Sequence, residues 1–366
     1  MIAEEAESPP WTVSADDLDT VALGAGVLGS GGGGPPELGK LLVMEALRRP
    51  GPITIVPEST LDPASLVVAV AQVGTPMVFN ERLAQGTEPG RAVRALEAHL
   101  GVRAGAVMCD EIGGTNSMTP LLAAAYLGLP VVDADTMGRA FPGLNMNTLS
   151  IYAERPVPCA FCDDEGNTVI VPGTLDTSAT ERLGRAVTVA MGGVSYIARP
   201  APSGTARRQA IIPGSYSRAR SIGIAIRRAA PYGSLAHLDL SALQGRVLFH
   251  GMISKVTRRS APGPVAGTIT IEGQLTRFEG SITVDFQNEY LVARRGASIL
   301  VVTPDAVSLI DDETGEPIGA DEVHAGRHVL LLGFSADPRM TTPEALRVVG
   351  PSAFGYEVEY QGLTDW

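Results

Sequence analysis

The sequence predicts an α/β first half joined to a β-rich last third, and three observations point there. Its 366 residues exceed what one hydrophobic core comfortably organises, so two domains are expected. Up to about residue 135, apolar runs alternate with helical spacings, the rhythm of a parallel or mixed sheet covered by helices. Beyond residue 240, short alternating segments follow one another with turns between them, as in a β-barrel or sandwich. The expected division is an N-terminal α/β layered domain over 1–172 and a C-terminal domain over 173–366. Within the latter, a helical lead-in (176–230) is able to pack with either half, and 240–360 is β-rich.

The elements follow in order. Ser14 is an N-cap with Asp16 and Asp17 in the first turn, where acids complement the helix dipole. Leu18, Val21, Ala22 and Ala25 keep helical spacing until the glycines from Gly29 to Gly34 break it. Pro35-Pro36-Glu37 opens a second helix running to about Arg48. ITIVP (53–57) and LVVAVAQVG (66–74) read as strands, the second apolar enough to be buried on both faces. A helix over 91–100, a strand AGAVMCDE (104–111), a helix over 120–127 and a strand LPVVD (129–133) continue the alternation. Helices are expected at 180–191 and 215–228, joined by a Gly/Pro/Ser-rich stretch. Six β segments then follow: RVLFHGMISKV, GTITIEG, SITVDF, EYLVARR, ILVVTPDAVSLID and HVLLLGF, with IDDETGEP (310–317) as a polar turn.

Composition excludes several function classes. The net charge of −12, from 40 acids and 28 bases, argues against a duplex-binding face, which needs basic residues to displace counterions. Cys109, Cys159 and Cys162 are too few for a disulfide framework in a chain this long. The acidic start MIAEEAESPPW has no basic region followed by an apolar run, and no stretch reaches the roughly 18 apolar residues of a spanning helix. A cytoplasmic protein with neither nucleic acid nor membrane as partner is expected.

Gly24-Ala25-Gly26-Val27-Leu28-Gly29 matches the dinucleotide fingerprint literally, but a helix precedes it where a strand is required. No nucleotide cofactor is expected. Gly31, Gly32, Gly33 and Gly34 lie before a helix start and form a candidate nest for an anion or polar ligand; a simple helix connection is the competing reading. Asp110-Glu111-Ile112-Gly113-Gly114-Thr115-Asn116 sets carboxylates, close-approach glycines and an amide at a strand's C-terminal end, either as a site or as a tight turn in which Asn116 caps the next helix. Asp133 and Asp135 share a side if their strand persists. With Arg139 nearby they suit a hard cation, a general base or an internal ion pair. The histidines His99, His237, His250, His324 and His328 give a divalent metal little support. Cys159-Ala160-Phe161-Cys162 is expected to be strand residues before a turn at 163–167. There is no G-x-S-x-G elbow and no P-loop. For an enzyme, carboxylate acid–base or polarised-water chemistry is the favoured reading.

LGSGGGGPPELG (28–39), VGTP (73–76), DEIGGTNSMTPL (110–121) and LPVVDADTMGRAFPGLNMNT (129–148), taken in order, resemble the N-terminal domain of the DUF917 family, also called S-methyl-thiohydantoin desulfurase. FHGMISKVTRR (249–259), QNEYLVA (287–293), TPDAVSLIDDETGEPI (303–318) and GPSAFGYEVEY (350–360) resemble its C-terminal domain. The sequence departs from the pattern at Met252, where a lysine is expected, and in its C-x-x-C segment. The resemblance implies an α/β domain coupled to a β-barrel-like domain. It also implies hydrolysis of an S-methylated thiohydantoin to a hydantoin and methanethiol, and company with hydantoinase or oxoprolinase-type hydrolases. On that reading Glu111, Asp133 and Asp135 are candidate bases. Thr75, Gly113, Gly114, Asn116 and the amides of the Gly31–Gly34 run would hold ring groups in an interdomain cleft. Arg139 would neutralise a substrate carboxylate or pair with Asp133 or Asp135, and His250 is a lower-ranked cleft residue. The alternative is a non-catalytic binding or assembly partner of such a hydrolase, with its glycine and acid clusters serving structure; as partners, a homo-oligomer and a hydantoinase-type enzyme are both open.

Overall fold

The computed structural model describes residues 8–48, 51–74, 76–82, 84–152, 158–230, 235–259, 265–273 and 278–363. The first part of the chain runs β1 (Trp11–Thr12), α1 (Ala15–Leu28), α2 (Pro36–Ala46), β2 (Thr54–Val56), β3 (Leu66–Gly74), α3 (Pro76–Glu81), α4 (Glu88–Leu100), β4 (Ala104–Cys109), α5 (Thr119–Leu127), β5 (Val131–Val132), β6 (Ala134–Asp135) and α6 (Thr148–Ile151). It continues with β7 (Cys159–Cys162), β8 (Thr168–Val171), α7 (Thr177–Ala190), β9 (Val194–Pro200), α8 (Gly204–Ala210), β10 (Ile212–Pro213) and α9 (Ser215–Ala229). The β-rich part is β11 (Gly245–Arg259), β12 (Ala266–Gly273), β13 (Ser281–Gln287), β14 (Glu289–Arg295), β15 (Ser298–Val302), β16 (Ala306–Asp311) and β17 (His328–Phe334), followed by α10 (Pro343–Val349).

The first sheet has eight strands in the order β1-β2-β5-β4-β3-β9-β7-β8. β2, β5, β4 and β3 are mutually parallel, and the remaining pairs are antiparallel. β3 is covered on both faces as its apolar run requires: Val68 and Val70 belong to the main core, and Val67 and Ala69 to a second cluster across the sheet. The Cys159 to Cys162 segment is strand β7, paired with β8 around a turn that Asp163 holds through Asn167. All three cysteines are buried, and none forms a disulfide among the described residues.

One strand corrects the expected Gly/Pro/Ser-rich connection. β9 lies beside β3 in the middle of the sheet. Its segment VSYIARP, bounded by Gly192-Gly193 and Pro200-Ala201-Pro202, carries Ser195 and Arg199 inward, so its apolar run is too broken to register as a core strand. Residues 194–229 thus contribute both a sheet strand and α9, which lies against α1.

That helix contact explains two glycines. A Cβ on Gly24 would stand 2.6 Å from the Ala219 carbonyl carbon, and one on Gly223 would stand 2.7 Å from that of Thr20. The helices therefore touch backbone to backbone. Gly24 and Gly26 of the apparent dinucleotide fingerprint lie inside α1, which opens with a full capping box between Ser14 and Asp17.

The second sheet is antiparallel with the order β15-β14-β13-β12-β11-β17-β16. β15 and β16 are its two edges and share no ladder, so the sheet curls without closing: an open half-barrel replaces the expected barrel. ILVVTPDAVSLID also divides, because its chain turns at the cis Thr303–Pro304 peptide, making β15 and β16. One apolar core runs from the first sheet's face (Val68, Val107) through α1 and α9 (Val21, Ile222) to the second sheet (Phe249, Ile271, Leu330). Among the described residues, no helix is long and apolar enough to cross a membrane.

Candidate functional site

The parallel strands β4 and β5 bring their C-terminal ends together, and the acids of both follow immediately. Glu111, just beyond β4, is buried. Its Oε1 accepts from Asn116 Nδ2 at 2.9 Å, and its Oε2 from the Phe141 N–H at 3.3 Å. Asn116 is itself anchored, since its Oδ1 accepts from the Gln72 N–H at 2.6 Å. Asn116 therefore orients Glu111 and does not cap α5, whose first residues have no side-chain cap. Burial, the neighbouring Glu289 and Asp110 push the Glu111 carboxyl up to about 8, against the Asn116 and Phe141 hydrogen bonds that pull it down.

Asp133 and Asp135 behave differently. The strand does not persist through them: β5 ends at Val132, and β6 pairs with β10 in a separate two-stranded ladder. Both carboxylates instead meet the start of α9. Asp133 accepts from the N–H groups of Tyr216 and Ser217 and from the Ser217 hydroxyl, the geometry of a helix cap delivered from a distant segment. Asp135 accepts from the N–H groups of Ile112, Met137 and Gly138 and from the Ser215 hydroxyl. Burial raises its carboxyl to about 6 despite those four donors.

Arg139 is 1% exposed and donates to the carbonyls of Ala140, Asp305 and Tyr290. It meets neither Asp133 nor Asp135, so the expected internal ion pair is replaced by a clamp on the backbone of the β-rich part at Tyr290 and Asp305. Its guanidinium lies over the Phe141 ring at 5.0 Å. Burial lowers it to about 10, while Glu289, Asp305 and Glu111 support its charge.

The two glycine loops pack face to face. The Thr115 N–H donates to the carbonyls of Gly33 and Gly34, and a Cβ on Gly33 would stand 2.7 Å from the Gly113 carbonyl carbon. Gly31, Gly33, Gly34 and Gly114 all have positive φ, a conformation glycine adopts without strain. The Gly31 loop also touches the β-rich part: Tyr290 N–H donates to Ser30 O, and Ala320 N–H to Gly31 O. Among the described residues, the N–H groups of Gly31, Gly33 and Gly34 find no acceptor. Gly32 lies against Glu289, whose Cγ would be 2.6 Å from a Cβ there. Thr75 lies outside the described residues.

His250 is held within the second sheet. Its Nε2 is 2.7 Å from Asp312 Oδ2, and its ring meets Phe278 edge-on. Neither partner belongs to the acids at the domain junction.

Sequence reasoning passed over two residues here. Glu289, read only as the start of a strand, is buried at the junction; its signal was an acid at the head of an apolar run, QNEYLVA. Arg199, on the unexpected strand β9, stands 3.1 Å from Asp110 and donates to the Leu144 carbonyl. Asp110 also takes the Thr136 hydroxyl, so these two residues brace the segment from 136 to 144. Among the described residues, no group of three or more His, Cys, Asp or Glu is arranged to hold a metal ion.

Fold and site together define an α/β protein of two large sheets and one small one, with a buried acidic centre where its halves meet. The chain belongs to the S-Me-THD-like family: the model of that family's N-terminal domain matches residues 16–173, and that of its C-terminal domain residues 175–363. A crystal structure of a protein from Chromobacterium violaceum is similar at a TM-score of 0.78 and 24% identity, over 97% of this chain and 100% of that one. This likeness shows the fold alone. No curated protein matches the chain.

Proposed function

We propose that the protein hydrolyses a small cyclic thioamide derivative of the S-methyl-thiohydantoin type, yielding the hydantoin and methanethiol. Membership of the S-Me-THD-like family supports the substrate class. The observation that carries the chemistry is Glu111: buried, oriented by Asn116 and pushed up to about 8. A carboxyl in that state holds its proton at neutral pH and is suited to protonate the ring nitrogen as water adds to the carbon bearing sulfur. Glu111 therefore moves from candidate base to acid. Asp133 and Asp135 leave the catalytic set, because their oxygens are already taken by backbone N–H and hydroxyl donors. The unpaired N–H groups of Gly31, Gly33 and Gly34 would receive a ring carbonyl oxygen.

The test is thiol release from the purified full chain with a set of S-methyl-thiohydantoins. Turnover by the wild type and its loss in Glu111→Gln is the expected result. Absence of thiol release, and of ring opening of the parent hydantoins, would instead favour a binding or assembly role beside a hydantoinase-type enzyme.

A further inference from the structure

We propose that Glu289, contributed by the C-terminal domain, is the general base of this reaction and works opposite Glu111 of the N-terminal domain; the assignment rests on the hydrolase reading above. Three observations of geometry support it. Glu289 is 4% exposed, yet its Oε2 has no hydrogen-bond partner among the described residues, whereas buried carboxylate oxygens are ordinarily satisfied by protein donors. Its side chain lies against Gly32, at a spot where any side chain on residue 32 would displace it. That contact sets Oε1 and the Cγ–Cδ stem of Glu289 against the glycine loop, and Oε2, the other oxygen of the same carboxylate, is the one without a partner. The β14 backbone is fixed from both sides, by Tyr290 N–H to Ser30 O and by Arg139 to Tyr290 O, so the head of the strand is a rigid mount.

The groups acting on Glu289 are Arg139, its own backbone N–H, Arg185 and Glu111. Burial raises its carboxyl to about 7, and Arg139 opposes the rise. Arg139 favours the ionised form of Glu289, whose Oε2 has no donor among the described residues, while both oxygens of Glu111 are engaged by Asn116 and Phe141, and this divides their roles. Ionised Glu289 takes a proton from water as the water oxygen bonds to the carbon bearing sulfur. The carbon–nitrogen π pair moves to the ring nitrogen, which takes the proton of Glu111. The carbon–sulfur bond then breaks with its electron pair going to sulfur, and Glu289 returns its proton there, releasing methanethiol. The remaining hydroxyl loses its proton to Glu111, forming the carbonyl and restoring both acids.

The experiment measures kcat and KM for methanethiol release from S-methyl-thiohydantoin, from about pH 5 to 10, for wild type, Glu289→Gln, Glu289→Asp and Glu111→Gln. Glu289→Gln should lose about 10²–10⁴-fold in kcat with KM little changed, and Glu289→Asp should recover part of the loss. The acidic limb of the wild-type profile, centred near 7, should vanish in Glu289→Gln. A Glu289→Gln enzyme that keeps its kcat or its acidic limb overturns the assignment, while loss of activity in Glu111→Gln would still uphold the hydrolase reading. A wild type that releases no thiol overturns both. If Glu289→Gln does not fold, the wild-type profile decides: lack of an acidic limb near 7 rules the base out.

Discussion

Two pairs of buried carboxylates stand close to the first sheet's C-terminal edge, and they are wired in opposite ways. Asp133 and Asp135 receive at least seven hydrogen bonds between them among the described residues, from the start of α9 and the turns after β4 and β6. Glu111 receives two, and Glu289 keeps one oxygen without any. All four are buried, so desolvation does not distinguish them; donor supply does. A buried carboxylate surrounded by N–H groups is a fastener, because removing it strands several donors at once. One left short of donors holds its proton into the neutral range and retains capacity for a ligand.

The largest test of this division is Glu111→Gln, which should cost about 10²–10⁴-fold in turnover and change the melting temperature little. It removes a desolvated acid but turns an amide NH2 toward one of the two donors, Asn116 or the Phe141 N–H. Asp135→Ala is its counterpart. It orphans three buried N–H groups and should destabilise by about 3–5 kcal/mol, seen in urea unfolding. Loss of turnover in Asp135→Ala with unchanged stability would break the comparison.

The pH dependence of stability sharpens it. Glu111 and Glu289 have folded values raised to about 8 and about 7, above the 4.5 of a free glutamate. Their folded state binds more protons, so their contribution is fully present below about 4.5 and is lost as pH rises through 7 and 8. The wild-type melting temperature should therefore fall between about pH 5 and 9, by the equivalent of a few kcal/mol, and more shallowly in Glu111→Gln. An equal slope in both proteins would remove Glu111 from the account.

Gly32→Ala probes Glu289 without touching its charge. Displacing that side chain should cost about 1–3 kcal/mol through overpacking and lower turnover at least about tenfold. The smallest effect belongs to Ser215→Ala, which removes one of four donors to Asp135. It should cost about 1 kcal/mol, with activity retained.

Much of the fold was legible because local signals sufficed. Ser14 with Asp17 spells a capping box, LVVAVAQVG a strand apolar on both faces, and the run beyond 240 a meander of alternating residues. β9 was hidden because Ser195 and Arg199 point into the protein and only their neighbours make sense of them. Barrel closure was equally beyond local pattern, since it depends on whether β15 and β16 pair, and they stand as opposite edges of the sheet. At the site, Glu111, Asn116 and the glycines stood out as chemistry at a strand end, whereas Glu289 looked like any acid opening a strand.

By itself the sequence determined the elements, the sites of close backbone approach and the supply of acids near strand ends, because caps, periodicity and glycine conformation are properties of neighbouring residues. Only the tertiary structure decided which acids are fasteners and which remain available. The donors that satisfy Asp133 come from Tyr216 and Ser217, and the contact that sets Glu289 comes from Gly32. Hydrogen-bond satisfaction in a low-dielectric interior depends on what packing brings alongside a group, not on what precedes it in the chain.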